Sequence, residues 1–183
     1  MKNRVENKLI VIEKGKIFTY NLDDKLSWTV GRVTTENNPD IKLSLSTVSR
    51  KHGELNNIDG TWFYMDFNGK NGTVYNNKQI KPGIHGKIRP VILKNGDTLI
   101  FGGGSEAVIN SKTVWAKFIT SSIEGAWRVN DTAGYSHITF NDGNKKIRMD
   151  SPKKGTVLEK ENGIAIYMGD FTYLLGNIEV SGE

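Results

Sequence analysis

Tight turns punctuate this chain from end to end. "EKGK", "LDDK", "NIDG", "FNGKNG", "KNGD", "NDGN" and "KENG" each separate short apolar stretches. Asn-Gly and Asp-Gly pairs favour two-residue hairpin turns, because their central residues tolerate positive φ. No window sustains apolar residues at i, i+3 and i+4, the spacing of an amphipathic helix. The expectation is an all-β protein, with a turn cadence that suits a sandwich or a barrel. "KLIVIEKGKIFTYNL" reads as two strands around a turn at Lys14–Gly15, and "TWFYMDF" (61–67) as a strand. "DTLIFGG" and "AVINSKTVWAKFI" read as closing strands.

The 183 residues suffice for one medium domain or two small ones. Composition shifts near residue 120, where "ITSSIEGAW" joins two strand-like runs through small polar residues. Domains over 1–120 and 121–183 are therefore expected. The second contains "YSHITFN", "KKIRMD", "GTVLEKE", "GIAIYMG", "FTYLLG" and "NIEVSG", a small antiparallel β-meander or partial barrel. So short a segment has little material for a core of its own. It is expected to pack on the first domain, to form a homodimer with a second copy, or to close into a compact barrel.

Composition removes several chemistries. With no cysteine, disulfides, thiol catalysis and Cys-ligated metals are excluded. No run approaches the roughly 18 apolar residues of a membrane-spanning helix. The start lacks the basic-then-apolar pattern of a secretory leader, so a cytoplasmic location is expected. The net charge of +5 is unevenly spread. Residues 1–120 carry 18 Lys/Arg and 11 Asp/Glu, a balance of +7, against 7 and 9, or −2, in the remainder. Between Asp66 and Asp97 lie six basic residues and no acidic one. A field of one sign favours an anionic partner.

"STVSRKHGEL" (46–55) crowds a hydroxyl, two cations and an imidazole into Ser49, Arg50, Lys51 and His52. A nucleophile with its base, a metal ligand, a nucleic-acid patch and an anion-binding loop all fit that stretch alone. Three further segments narrow the choice. "WTVGR" (28–32) ends a strand in Gly31-Arg32, and "KNGTVYNN" (70–77) sets Asn71-Gly72-Thr73 in a loop before a strand. "LKNGDTLIFGG" (93–103) follows as turn, strand and glycines. This order, with Ser-Arg-x-His about 17 residues after Gly-Arg and Asn-Gly-Thr about 20 further on, resembles the forkhead-associated (FHA) domain. The resemblance spans roughly residues 8–119. It implies a β-sandwich that binds phosphothreonine peptides through loops at one end.

In that family, Arg32, Ser49, Arg50 and Asn71 would form the phosphopeptide site. The residue types suit the task. A phosphate with a charge near −2 and three acceptor oxygens wants a guanidinium and donors at fixed angles. Arg32 supplies a charged fork, Ser49 a hydroxyl, and Arg50 a flexible cation. Asn71 offers an amide to the main chain of an extended peptide. The family's histidine is structural, so His52 is expected to look inward and brace the loops. Gly31, Gly72 and Thr73 are expected as support, with Lys51 facing solvent. Where the family often has Ser or Thr before Asn-Gly-Thr, this chain has Lys70, a point charge within reach of phosphate or pointing away. Gly69 adds a second departure in loop shape. The basic segment 76–97 either extends a positive surface along the peptide groove or is an exposed hairpin.

Other readings fall away. Ser49 and His52 lack a third catalytic group, an oxyanion hole or a Gly-x-Ser-x-Gly elbow, so no enzyme is expected. His52, His85 and His137 are not spaced as metal ligands, and no cofactor is expected. "FGGGSE" (101–106) is followed by no helix, which fails the dinucleotide-loop context. Trp62, Phe63, Tyr64 and Phe67 share one strand and read as core rather than as a stacking platform for nucleic acid. What the resemblance implies is a non-catalytic module that recognises phosphothreonine-containing segments written by a Ser/Thr protein kinase. The alternative is a phosphate-independent module that docks a partner through the same loops.

Overall fold

A computed structural model describes residues 4–81, 86–103, 112–132, 134 and 137–182. Residues 82–85 of the basic segment, including His85, lie outside the described residues, as do 104–106 of the glycine-rich stretch and 107–111 of the last expected closing strand. The chain divides into two compact units, Met1–Ser121 and Ser122–Glu183.

The first unit begins with the hairpin read from the sequence. Strands β1 (Glu6–Glu13) and β2 (Lys16–Asn21) pair in antiparallel register, Glu13 opposite Lys16. Lys14 and Gly15 take positive φ at the turn. "LDDK" folds as a 3-10 turn over Leu22–Asp24, capped by the Asn21 side chain. Next come β3 (Ser27–Arg32), β4 (Ile41–Leu43), β5 (Gly53–Ile58), β6 (Thr61–Asp66), β7 (Thr73–Tyr75), β8 (Lys78–Gln79), β9 (Val91–Ile92), β10 (Thr98–Phe101) and β11 (Val114–Ser121). They form two sheets. One has the order β2-β1-β11-β10-β7-β8 and the other β4-β3-β5-β6-β9. The core takes alternate residues from both, among them Leu9 and Val11 of β1, Val30 of β3, Leu55 of β5, Leu99 and Phe101 of β10, and Ala116 and Phe118 of β11. Period-2 burial against a facing sheet is what fixes this register.

Strand β6 follows the alternation with one informative exception. Trp62 and Tyr64 point inward, as expected, while Phe63 and Phe67 are only half-buried. The third inward position is a carboxylate, Asp66, 3% exposed. A charge so placed needs partners, and they prove to lie beneath the candidate site.

Two ends of this sandwich differ. The tight hairpin that joins β5 to β6 lies at one end. At the other, longer segments link β3 to β4 (33–40), β4 to β5 (44–52) and β6 to β7 (67–72). All the motif residues lie in these longer segments or at the strand ends beside them.

The second unit contains β12 (Arg128–Asp131), β13 (His137–Asp142), β14 (Lys145–Asp150), β15 (Thr156–Lys160), β16 (Gly163–Tyr167), β17 (Phe171–Gly176) and β18 (Glu179–Gly182). Sequential pairing joins β13 to β14, β15 to β16 and β16 to β17. Two strands return to distant partners instead, β12 to β17 and β18 to β13. The result is two sheets, β12-β17-β16-β15 and β14-β13-β18, around a cluster of Ile138, Phe140, Ala165, Leu174 and Ile178.

Candidate phosphopeptide-binding site

The stretch that carries Ser49 is anchored before it reaches the site. Glu13, at the end of β1 and 7% exposed, accepts from the Ser44 N–H at 2.9 Å, the Ser44 hydroxyl at 2.7 Å and the Leu45 N–H at 3.3 Å. A buried carboxylate with several donors is a strong tether. It fixes where the 44–52 segment leaves β4.

The far end of the segment is pinned by His52, which is fully buried. Its Nδ1 accepts from the Ser49 N–H at 3.1 Å. That bond makes Nδ1 the unprotonated nitrogen, so Nε2–H is the donor, directed at Thr73 Oγ1 (2.8 Å) and the Gly72 carbonyl (3.2 Å). Thr73 Oγ1 in turn donates to Asp66 Oδ1 at 2.6 Å, and Tyr64 OH donates to the same oxygen at 2.9 Å. Asp66 Oδ2 accepts from the Asn68 N–H at 3.2 Å. A continuous relay therefore runs from the Ser49 backbone to a buried carboxylate, and it ties the 44–52 and 67–72 segments together.

The electrostatics follow from burial. Desolvation lowers the His52 pKa below its ordinary value, against the opposing pull of Asp66 and the Gly72 carbonyl, so the ring is neutral at pH 7. Burial, reinforced by Asp66, raises the Tyr64 phenol well above its usual range. The Phe101 ring meets His52 edge-on at 5.3 Å between centroids and closes it off from below.

Arg32 ends β3 beside this loop. Its N–H donates to the Ser49 carbonyl at 3.1 Å, and its Nε to the Val48 carbonyl at 3.0 Å. The half-buried guanidinium is thus oriented through Nε. Its two terminal nitrogens have no hydrogen-bond partner among the described residues. The half-buried Ser49 hydroxyl has none either. Gly31 makes the approach possible, since a Cβ there would run into the Arg50 carbonyl oxygen. Arg50 and Lys51 are exposed.

The 67–72 segment closes the opposite side. Gly72 (φ 68°) takes a left-handed conformation, and its N–H donates to the Gly69 carbonyl at 3.0 Å. Asn71 Nδ2 donates to the Thr47 carbonyl at 2.9 Å, which bridges this loop to the Ser49 loop. Its Oδ1 has no hydrogen-bond partner among the described residues. Gly69 lies against Ser49: a Cβ on it would collide with the Ser49 hydroxyl oxygen. The departure noted in the sequence is thus where the loop gives way to Ser49. Lys70 is exposed at the tip.

Gly31, Arg32, Ser49, Arg50, His52, Lys70, Asn71, Gly72 and Thr73 are accordingly brought to one end of one sandwich. Four supporting residues escaped the sequence reading. Glu13 and Asp66 act through partners remote along the chain, and Tyr64 reads as ordinary core. Asn37 is the fourth. Its Nδ2 donates at 2.8 Å to the carbonyls of both Arg32 and Arg50, so one amide spaces the two arginines. Only Asp66, a lone acid at an inward position of an alternating strand, left a signal that could have been used.

Residues 28–102 match the family model described as the FHA domain, and the match contains the whole motif set from Gly31 to Thr73. No curated protein matches the chain. Among solved structures, the chain is similar to the yeast Pml1 splicing factor, described with its integration into the RES complex. Identity is 24%, the TM-score 0.50, and the alignment covers 64% of this chain and 81% of that one. Full-length yeast Pml1p gives 24% identity and a TM-score of 0.51 over 64% of this chain and 83% of that one. The yeast Dun1 FHA domain, solved with a doubly phosphorylated peptide derived from Rad53, is 21% identical with a TM-score of 0.45, over 69% of this chain and 82% of that chain. At these identities the likeness is one of fold.

Proposed function

Residues 28–102 match the FHA-domain model, and from that premise we propose that the protein is a non-catalytic module that binds phosphothreonine-containing segments of partner proteins in extended form. One observation carries the reading. The Arg32 guanidinium and the Ser49 hydroxyl come from separate segments that the Arg32 N–H to Ser49 carbonyl and Arg32 Nε to Val48 carbonyl bonds join, and neither the terminal nitrogens nor the hydroxyl has a protein partner among the described residues. Donors left uncommitted at an exposed loop end, on a frame stiffened from below, suit a multiply charged oxyanion.

Each residue then has a role. Arg32 supplies the charged fork to the phosphate, and Ser49 its hydroxyl. Arg50 reaches an outer phosphate oxygen or the peptide backbone, and Lys70 adds a point charge from the opposite loop. Asn71, with one nitrogen held by Thr47, presents Oδ1 to a peptide N–H. A Ser/Thr protein kinase would write the mark. A single phosphate with a short run of backbone contacts gives affinity of micromolar order, about 8 kcal/mol.

The direct test is titration of the chain with a phosphothreonine peptide library and its unphosphorylated counterpart. Binding confined to the phosphorylated set is expected, and equal binding to both would overturn the reading. Lys70 favours a second reading, because it stands where the family often has a hydroxyl. That reading is a phosphate-independent dock on the same loops. Treating a captured partner with phosphatase separates the two, since only a phosphate-dependent complex then dissociates.

A further inference from the structure

The strand register directs the basic segment back toward the candidate site. β8 runs antiparallel to β7, with Lys78 opposite Tyr75 and Gln79 opposite Val74. The Ile80 N–H then donates to the Thr73 carbonyl at 2.9 Å. Lys81 is the next residue, level with the Asn71–Gly72 loop. β9 runs antiparallel to β6, with Ile92 opposite Phe63 and Val91 opposite Tyr64. Residues preceding Val91, Arg89 and Lys87 among them, therefore lead toward the Asp66 end of β6, where the 67–72 loop begins. The Tyr75 hydroxyl, whose proton goes to Asp97 Oδ2 at 2.6 Å, also lies 3.2 Å from the Ile92 carbonyl, so the two sheets meet along this edge. Lys70, Lys81, Lys87 and Arg89 are all exposed. None has a salt bridge among the described residues.

Nothing within the segment neutralises them. The chain has no acidic residue between Asp66 and Asp97. Both of those carboxylates are buried, 3% and 9% exposed, and occupied. Asp66 serves Thr73 and Tyr64, while Asp97 accepts from Tyr75 OH at 2.6 Å, the Lys94 N–H at 2.8 Å and Asn76 Nδ2 at 3.0 Å. Like charges gathered at one edge repel one another and are relieved by an opposite charge from outside. Aromatic side chains here are not presented for stacking: Tyr75 is half-buried with its hydroxyl engaged, and Phe67 is half-buried. A stretch of carboxylates suits such an edge better than unpaired bases do.

We propose that Lys81, Lys87 and Arg89, continuous with Lys70, form a cationic flank that binds a run of Asp or Glu residues in the same partner segment, beside its phosphothreonine. The inference rests on the phosphothreonine reading above, and its test separates the two. The full chain is titrated with four peptides: a phosphothreonine peptide with neutral flanks, two bearing four Glu on one side or the other, and an unphosphorylated peptide with the same acidic run. One acidic placement is expected to tighten binding roughly ten-fold at low salt, with the gain shrinking as salt rises, because exposed ion pairs are weak individually and screened. The triple variant Lys81→Glu, Lys87→Glu, Arg89→Glu is expected to lose that gain while keeping affinity for the neutral phosphopeptide. Equal affinity for all three phosphopeptides, or a gain that survives the triple substitution, overturns the flank. So does a single-stranded RNA oligomer that binds more tightly than the acidic peptides and loses affinity in the variant. Should the neutral phosphopeptide fail to bind, the phosphothreonine reading falls by itself. The unphosphorylated acidic peptide then decides the flank: binding abolished by the triple variant supports it, and no binding overturns it.

Discussion

Two arginines, one in each unit, show how the same side chain serves different ends. Arg128 opens β12 and directs Nη2 at the carbonyls of Gly176, the last residue of its partner strand β17, and of Ile178 just past it. Its terminal nitrogen is used inside the fold. Arg32 closes β3 and gives only Nε to a carbonyl, that of Val48. The terminal nitrogens are left over. One guanidinium completes a sheet, and the other is held ready for something outside. The surroundings differ in the same sense. The second unit joins three of its successive strand pairs by hairpins, Asp142–Lys145 and Lys160–Gly163 among them. In the first, longer loops stand on buried polar roots at Glu13, His52 and Asp66.

The sharpest test of this contrast is the pair of alanine variants. Arg32→Ala is expected to cost about 2–4 kcal/mol of phosphopeptide binding, because a phosphate would lose its charged partner, with little change in melting temperature. Arg128→Ala should do the reverse and leave titration with the phosphopeptide unchanged. It would remove about 1 kcal/mol of stability, read by chemical denaturation, because two carbonyls lose a donor. If both variants lost stability and neither lost binding, the two arginines would be equivalent and the site wrongly placed.

Thr73→Val cuts the relay under the loops. Valine keeps the shape but offers no oxygen to His52 and no proton to Asp66. A loss of about 1–3 kcal/mol of stability is expected, the cost of leaving buried polar groups short of partners, measured as a lowered denaturation midpoint. Binding should weaken only as far as the Ser49 loop loosens, so a variant of native stability would show the relay to be incidental.

Asn37→Ala is a smaller change. It removes the amide that spaces the Arg32 and Arg50 carbonyls, and about 1 kcal/mol of phosphopeptide binding should go with it. Asn37→Gln, whose longer arm misplaces the same donors, should not restore it. Recovery with glutamine would mean that any amide will do.

The smallest effect is a pH response. The folded pKa of His52 lies below the unfolded value of about 6.5. Below that pH the unfolded chain takes up a proton that the folded chain refuses, so stability declines as pH falls toward the folded pKa. Denaturation is the proper readout, because a phosphate also titrates near pH 6 and would blur a binding assay. A His52→Gln variant should lack this component, and an unchanged pH profile would show that other groups govern it.

The reach of the sequence follows the distance over which each residue acts. Turn pairs such as Lys14–Gly15 and alternation in 61–67 are local, and they specify strands before any fold is known. Arg32, Ser49 and Asn71 were legible because their order along the chain mirrors the order of the loops. Glu13 was not: beside the "EKGK" turn it reads as hairpin charge, yet its partners Ser44 and Leu45 lie some 30 residues on. Phe63 and Phe67 went astray for a related reason. Hydrophobicity marks a residue as buriable, but the pleat alone decides which face it takes, and at the third inward position the pleat presents Asp66.

The Glu13 tether bears on how the candidate site can be isolated. Glu13 lies ahead of residue 28, where the family match starts, and β11, which pairs with β1 from Glu6 opposite Ser121 to Ile12 opposite Trp115, lies past its end at 102. A fragment trimmed to the match would forfeit both the anchor of the Ser49 loop and the middle strands of one sheet. Silence from so short a piece in a peptide screen would report a lost scaffold, not an empty specificity. Expression boundaries for any screen therefore belong before Glu6 and beyond Ser121.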